Sequence, residues 1–498
     1  MHQPPPPADA TPGPPSRLRQ RPLARALALA LCAALAGCGA LVRTPQPVAD
    51  VPPEALGRPL APEALREDVA FLVRTLEEVH PDPYALADSA AARQRLDALA
   101  AGLDRPMTRL GLWRRLAPWV ASLGDGHTAM GFPQPEYEAW RENGGARFSL
   151  PMEIRGDTLR LARDARGLAA CTPLAEVNGV RAAALVGRVR AVVSGERAAY
   201  RDDRAARAFG AWAWAATGLE GPFVAVTASG DTLRFRGGVR DTSAAALEAG
   251  RPAALVYERL PDGTGWLRAR SFRGPLAAYE RELARTFAQI RAEGTERLIV
   301  DVRENGGGNS ALGDALLAYL TDRPWRSAAR TEWRRSRQYG RYIKGFVAPA
   351  VRWAVPWGIV PQVGGYFRTP VGGSYVQTFE AAAPEAPEHR FVGRWAVLTG
   401  PRTFSSGMLF ALAVKDHGLA PVVGAETGGE ASGFGEVFTF ALPNSGLAVR
   451  TSTKRFVRPS GSTAPGGVRP DVPVRVPCGA TRDLVRERAA ALLREADE

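Results

Sequence analysis

Histidine and cysteine are scarce in this chain, which has five histidines and four cysteines among 498 residues. No predicted helix carries paired histidines, and Cys171 and Cys478 are far apart in sequence, so the common zinc-binding patterns are excluded. The formal net charge of +13 comes almost entirely from arginines scattered along the chain. Because no basic arm or nucleic-acid-binding motif accompanies them, we predict no nucleic-acid partner. We also predict no metal and no cofactor.

The apolar run near the N-terminus, residues 26–36, is too short to span a bilayer as a helix. It follows four arginines and ends in Leu-Ala-Gly-Cys at residues 35–38, an order typical of a secretory signal peptide. A short buried helix is the alternative. The tetrapeptide resembles a bacterial lipobox, which implies removal of residues 1–37 and lipidation of Cys38. We therefore expect a protein anchored by lipid in the bacterial cell envelope, on the periplasmic face of the outer membrane or at the cell surface.

Removal of this leader changes the set of available cysteines. Cys32 is lost with the leader and Cys38 carries the lipid, which leaves Cys171 and Cys478 in an oxidising compartment. A disulfide between these two is a hypothesis, because the sequence gives no distance between them.

The composition and the spacing of apolar residues change along the mature chain. Residues 38–62 are rich in proline and are interpreted as a tether. Residues 63–145 have apolar side chains at helical spacing, as at Leu65, Val69 and Leu72, and are predicted to form a helical domain, in which Pro118 either kinks a helix or lies near its start. In residues 146–245, apolar and polar residues alternate over shorter stretches, which predicts a mixed, mainly β module.

The segment 250–478 is predicted to be α/β. A buried-looking strand at residues 297–302, a glycine-rich turn and a helix form one unit, and the same order returns from residue 396 to residue 417. Two such units indicate a largely parallel sheet that is covered by helices. Residues 325–390 are interpreted as an inserted lid or subdomain, and residues 479–498 as a C-terminal helix.

Ser405 is the candidate nucleophile because it lies at the first turn of a helix that follows a buried strand. Unpaired N–H groups at a helix N-terminus can stabilise the oxyanion formed when a serine attacks a carbonyl. The main-chain N–H of Ser406 is one candidate donor, and Gly306 or Gly307 is the second. Simple capping of the helix by Ser405 is the alternative interpretation.

His127 is the best candidate for a base among the few histidines. His417 ends a helix, His389 lies in the polar insertion and His80 begins a turn after the first helix. His127 instead lies in a glycine-rich turn at a helix end, where functional residues are more common than packing residues.

Four segments together resemble, in order, the signature segments of the tail-specific (C-terminal processing) protease family. They are Asp125-Gly126-His127-Thr128, residues 301–308 (DVRENGGG), Thr403-Phe404-Ser405-Ser406 and Gly467-Val468-Arg469-Pro470-Asp471. The resemblance covers about residues 63–478. It implies a serine peptidase on a Clp-protease/crotonase-like core, with Ser405 as nucleophile and a peptide or protein as substrate.

Members of this family differ in the residue that acts as the general base. The processing proteases proper use a lysine after the strand that follows the nucleophile helix, and Glu430 occupies that position here. This departure favours the branch that resembles the tricorn-protease core, in which a histidine matching His127 is the base. The residue before His127 is Gly126, whereas the tricorn-like pattern has a serine at that position. We expect a carboxylate to orient the imidazole; Glu436 is favoured, with Glu430, Glu426 and Asp125 as alternatives.

The middle module invites comparison with the PDZ-like domain of this family, because residues 174–180 (LAEVNGV) resemble a strand and turn found there. Such a domain implies that a substrate tail binds as an added strand. A non-catalytic protein that binds apolar ligands, or an envelope scaffold, is the alternative on the same fold.

Overall fold

The computed structural model describes residues 51–238, 253–361 and 363–495. The predicted signal peptide and Cys38 lie outside the described residues. Within the described part of the chain, no helix is both long enough and apolar enough to cross a membrane. The chain divides into two compact units, of which the larger comprises residues 46–340 and 369–498 and the smaller contains residues 341–368.

The described chain contains both helices and strands along most of its length. The helices are α1 (Pro53–Leu56), α2 (Pro62–Val79), α3 (Ser89–Ala101), α4 (Arg109–Ala121), α5 (Gln134–Glu142), α6 (Ala182–Ala191), α7 (Ala198–Arg207), α8 (Phe209–Thr217), α9 (Leu276–Ala292), α10 (Ser310–Ala318), α11 (Arg337–Gly345), α12 (Pro349–Arg352), α13 (Gly364–Arg368), α14 (Ser406–Asp416) and α15 (Leu484–Glu495). The strands are β1 (Ala129–Met130), β2 (Met152–Arg155), β3 (Thr158–Leu161), β4 (Pro173–Val177), β5 (Val180–Arg181), β6 (Phe223–Thr227), β7 (Thr232–Phe235), β8 (Leu255–Arg259), β9 (Gly265–Ala269), β10 (Arg297–Asp301), β11 (Arg330–Arg334), β12 (Ser374–Thr378), β13 (Arg394–Thr399), β14 (Val422–Gly424), β15 (Phe434–Ala441), β16 (Ala448–Val457) and β17 (Val472–Pro473).

The N-terminal helices follow the apolar spacing of the sequence. Helix α2 begins with Pro62, whose missing N–H would have no acceptor at that position. Its buried face includes Leu65, Val69, Leu72, Leu76 and Val79. Pro118 lies in the last turn of α4 rather than near its start, because Thr108 caps that helix well before the proline.

The central sheet has the strand order β17-β14-β13-β10-β9-β8. All neighbouring strands are parallel except β8 and β9, and Leu298 of β10 pairs with Trp395 on one side and Gly265 on the other. Helices α9, α10 and α14 pack on one face, and α15 packs on the other. Burial on both faces explains why β10 and β13 are continuously apolar. This arrangement confirms the prediction of a mixed α/β fold.

The middle of the chain forms a separate antiparallel sheet with the order β2-β3-β4-β6-β7, and β5 pairs with β4. Strands β4 and β5 are joined at Asn178 and Gly179, which both have positive φ, as a tight hairpin requires. Helix α7 packs against β2.

A third sheet, with the order β1-β16-β11-β12 and β15 paired to β16, connects distant parts of the chain. Strand β1 comes from the N-terminal segment, and Ala129 pairs with Arg450 of β16. Strands β11 and β12 lie within the segment interpreted as an insertion and pair with each other in antiparallel orientation. Residues 341–368 come between these two strands in the sequence.

A disulfide joins Cys171 to Cys478, whose Cα atoms are 5.8 Å apart. The two cysteines are separated by 307 residues in sequence. The bond therefore connects the middle module to the segment that precedes α15.

Loss of this disulfide should destabilise the protein. We expect Cys171→Ser to lower the free energy of unfolding by about 2–5 kcal/mol, because the crosslink restricts the unfolded chain. Chemical denaturation measures this difference, and the reduced wild-type protein is the matched control. Reduction should raise the intact mass of the wild type by two hydrogen atoms; an unchanged mass would mean that the bond is not formed.

Candidate active site

Ser405 lies in a strained turn between strand β13 and helix α14. Its φ of 52° and ψ of −127° are rare for a residue with a side chain, and such a conformation is unfavourable by about 1–3 kcal/mol. Hydrogen bonds hold the turn in place: the Thr403 hydroxyl donates to the Val302 carbonyl at 2.8 Å, and the Phe404 N–H donates to the Asn305 carbonyl at 3.0 Å. The turn therefore presents the Ser405 hydroxyl at the N-terminus of α14.

The His127 ring contacts this hydroxyl. Its Nε2 atom lies 3.0 Å from Ser405 Oγ, although the two residues are 278 positions apart in sequence. The ring stacks on Phe404 with centroids 4.7 Å apart, and only 11% of the side chain is exposed. The structure thus brings together the serine and the histidine that the sequence singled out.

Asp125 holds the turn that carries His127. One of its oxygens accepts the His127 main-chain N–H at 2.9 Å. The other contacts His80 Nε2 at 3.1 Å and accepts hydrogen bonds from the hydroxyls of Thr128 and Ser452, each at 2.6 Å. Burial alone would raise the pKa of Asp125, but these partners, led by His80, hold the pKa well below its usual range. Asp125 is therefore a carboxylate at neutral pH.

Several charges act on the protonation of His127. Burial lowers the pKa of the imidazole, the cations Arg450 and Arg204 lower it further, and Asp125 opposes the shift. The ring is consequently neutral at neutral pH, so that Nε2 can accept a proton from Ser405.

Glu430 and Glu436 line the same cavity as His127, but the carboxylates of the three glutamates predicted from the sequence pair with groups other than the imidazole. The Glu436 carboxylate is hydrogen-bonded to Tyr339 and paired with Lys454, and its residue interrupts the pairing of β15 with β16 at a φ of 54°. Glu426 and Glu430 both pair with Arg197, at 2.7 Å and 3.4 Å. Of the four candidates, Asp125 is the one beside the imidazole, with Oδ1 3.8 Å from His127 Nδ1.

The predicted oxyanion donors have different surroundings. Ser406 begins α14, where a helix offers no internal acceptor for the N–H. Gly307 packs directly behind the nucleophile, since a Cβ there would lie 2.6 Å from Ser405 Cβ, but its N–H already donates to the Asn305 side chain. Gly308, which the sequence did not single out, lines the cavity beside Ser405, whereas Gly306 and Gly307 do not.

A cavity of about 400 Å³ opens beside Ser405 and His127. Its apolar lining comes from α14, from β15 and the loop before it, and from β16, and consists of Met408, Leu409, Ala431, Phe434, Val437 and Phe456. The site therefore offers an apolar space next to the nucleophile.

Asp125, His127 and Glu196 form the one group in the described residues with the spacing of a metal site, and their potential ligand atoms lie within 4.8 Å of one another. Asp125 already accepts from four donors, three of them at Oδ2 and one at Oδ1. His127 Nε2 contacts Ser405. These residues fit a hydrogen-bonded catalytic group better than a metal site.

Comparisons with known proteins agree with this geometry. Residues 263–474 match the model of peptidase family S41. No curated protein matches the chain significantly. Among solved structures, mature CPAF is 17% identical, with 87% of this chain and 96% of that chain covered and a TM-score of 0.57. A point mutant of CPAF is 16% identical over the same shares, with a TM-score of 0.60. At these identities the structural likeness establishes a common fold.

The class of protein is a serine-type peptidase. Residues 263–474 match the model of peptidase family S41, in agreement with the resemblance of the sequence segments to tail-specific proteases. His127 and the middle module precede the matched segment, so their roles depend on the geometry described above.

The pH dependence of activity should report the charges around His127. A base must be unprotonated, so its lowered pKa should keep the enzyme active below the ordinary imidazole titration at about pH 6.5. Arg450→Gln removes a nearby cation, which should raise the pKa of His127 and move the acidic limb of kcat/KM to higher pH.

Arg455→Gln is the matched control, because Arg455 lies on the same strand, β16, and pairs with Glu332 instead. It should leave the limb in place. An acidic limb that is unchanged, or moves to lower pH, in Arg450→Gln would contradict the assignment of His127 as the titrating base.

Proposed function

We propose that this protein is an endopeptidase that forms an acyl-enzyme on Ser405, with His127 as general base. The observation that carries the proposal is the 3.0 Å contact between His127 Nε2 and the hydroxyl of a serine held in a strained turn. A serine that only capped α14 would need neither feature, and the Ser405 side chain makes no capping hydrogen bond.

The reaction proceeds in two halves. His127 Nε2 takes the Ser405 proton as Oγ attacks the scissile carbonyl, and the resulting imidazolium is stabilised by the Asp125 carboxylate. The imidazolium then protonates the leaving amine, and the peptide is left as an ester on Ser405. A water molecule, deprotonated by the same imidazole, hydrolyses the ester and restores the serine.

Negative charge on the carbonyl oxygen needs donors beside Ser405. The N–H of Ser406 is the first, because it lies at the positive end of α14. For the second donor we favour the main-chain N–H of Gly308 over those of Gly306 and Gly307. Gly308 lines the cavity next to Ser405, and its carbonyl accepts the Ser406 hydroxyl at 2.8 Å, which fixes this glycine turn against the start of α14.

The substrate class follows from the cavity. Its apolar lining favours a peptide with an apolar side chain immediately before the scissile bond. Strand β15, whose first residues line the same cavity, offers a main-chain edge along which an extended peptide would bind. Cleavage near protein C-termini, with the middle module collecting the tail, is a further part of the proposal that rests on the resemblance to tail-specific proteases.

A fluorophosphonate probe tests the nucleophile and the base together. It should label the wild-type protein and fail to label Ser405→Ala. His127→Gln should react about 100-fold to 10,000-fold more slowly, the usual contribution of a general base. Sequencing the fragments of a denatured protein mixture should reveal apolar residues before the cleaved bonds.

Ser432→Ala and His389→Gln are matched controls, because Ser432 donates to the Ser462 carbonyl and His389 lies beside Glu388. Both should react like the wild type. Labelling that persists in Ser405→Ala would mean that another residue is the nucleophile, and an unlabelled wild type would favour a non-catalytic binding protein.

We also propose that the protein is a lipoprotein of the bacterial cell envelope. The arginine-rich start, the apolar run and the Leu-Ala-Gly-Cys string support export and acylation of Cys38. The disulfide between Cys171 and Cys478 is compatible with folding in an oxidising compartment.

Metabolic labelling with palmitate tests the anchor. Label should enter the wild-type chain and be absent from Cys38→Ala, because the acyl chains need that thiol and the amino group exposed by cleavage. Cys32→Ala is the matched control and should keep the label, since Cys32 lies in the segment that is removed. An unlabelled wild type would rule out the lipid anchor.

A further inference from the structure

An acid that the reaction scheme does not use lies beside the His127 ring. Glu196 is in the segment between α6 and α7, in the middle module. In the described structure its Oε2 atom and His127 Nδ1 are both buried without a hydrogen-bond partner. One oxygen of Glu196, one oxygen of Asp125 and one ring nitrogen of His127 lie within 4.8 Å of one another.

Gly126 makes the close approach of Glu196 to the His127 turn possible. A Cβ on Gly126 would lie 2.7 Å from Glu196 Oε2 and 2.7 Å from the edge of the Phe404 ring. A side chain at position 126 would therefore displace the carboxyl, the ring or both. The Phe404 ring stacks between His127 and Tyr200 of α7, with centroids 4.7 Å and 4.4 Å away, so Tyr200 of the middle module reaches the histidine only through Phe404.

The surroundings of the Glu196 carboxyl raise its pKa and so favour the protonated form. Burial raises its pKa well above the usual range, and the charge of Asp125 raises it further, against the opposing effect of the N–H groups of Glu196 and Gly126. A protonated carboxyl keeps an oxygen that accepts hydrogen bonds, and it avoids placing a second negative charge beside Asp125. The titratable groups that act on it or respond to it are Asp125, His127, Tyr200 and Glu430.

The imidazole needs an acceptor at this position. Because Nε2 must accept the proton of Ser405, the single ring proton of neutral His127 belongs on Nδ1. The nearest Asp125 oxygen is 3.8 Å from Nδ1, which is too far for a hydrogen bond, and Glu196 Oε2 also makes no hydrogen bond in this structure. A main-chain hydrogen bond with Phe434 acts on the ring as well and raises the pKa of His127. Hydrogen bonds in unliganded active sites are often long and tighten when substrate binds.

We propose that Glu196 is a positioning residue for His127: its carboxyl accepts the Nδ1–H and so holds the ring in the tautomer whose Nε2 faces Ser405. The proposal rests on His127 acting as the base for Ser405. Asp125 then supplies the charge that stabilises the imidazolium and fixes the main chain of the turn, while Glu196 sets the orientation of the ring.

Kinetics of variants at position 196 test this role. Glu196→Gln keeps a carbonyl acceptor of the same length and should retain kcat within about threefold, whereas Glu196→Ala should lower kcat by about 10-fold to 100-fold with little change in KM, as expected when positioning of a base is lost. Glu220→Ala is the matched control, because Glu220 belongs to the same module and its carboxylate bonds Trp140. Thermal midpoints should identify any variant that fails to fold. A Glu196→Ala enzyme with wild-type kcat, or a Glu196→Gln enzyme as impaired as Glu196→Ala, would overturn the proposal.

A spectroscopic measurement separates this proposal from the proposed peptidase activity. The chain has five histidines, so the ring nitrogens of ¹⁵N-histidine-labelled protein can be assigned by comparison with His127→Gln. His127 should be protonated on Nδ1 in the wild type and in Glu196→Gln, and should become a mixture of tautomers in Glu196→Ala. An unchanged tautomer in Glu196→Ala would overturn the role of Glu196 even in an active enzyme. A wild type that hydrolyses nothing would contradict the proposed function and leave this readout intact.

Discussion

The contact between His127 Nε2 and Ser405 Oγ depends on a sheet that joins the two ends of the chain. Strand β1 begins two residues after His127 and pairs with β16, with Ala129 opposite Arg450. The Ser452 hydroxyl on β16 also donates to Asp125, the residue that fixes the histidine turn. Ser405, by contrast, is held by the parallel sheet through β13 and α14. The active site therefore exists only where these two sheets meet.

Electrostatics at this junction favour a neutral base next to a charged acid. Desolvation and two arginines lower the pKa of His127, while the hydrogen-bonding partners of Asp125 lower the pKa of the carboxyl. The pKa of Glu196 is raised by burial and by the neighbouring charge of Asp125. The pKa of each of the three groups is thus set by burial and by its neighbours rather than by its residue type.

Local patterns predicted the catalytic framework more reliably than the contacts between distant segments. The strand, turn and helix around Ser405 and the glycine-rich turn around His127 are each encoded by a few consecutive residues, and the α/β fold followed from continuously apolar strands. The choice of Glu436 as the orienting acid did not match the structure, since its carboxylate bonds Tyr339 and Lys454. The spacing of an acid along the chain says nothing about which ring it faces, and Glu196 lies in a module with no local signal of catalysis.

The sequence by itself determined the elements and their chemistry: a serine at a helix start, a histidine in a tight turn, and two cysteines that were candidates for a disulfide. These follow from short-range steric and hydrogen-bonding preferences and from the hydrophobic pattern. Only the tertiary structure decided which acids surround the imidazole, that Gly126 leaves room for the Glu196 carboxyl, and that Ser405 has a positive φ. Those features arise because packing of separate sheets sets distances and burial, and distances and burial determine hydrogen bonds and pKa values.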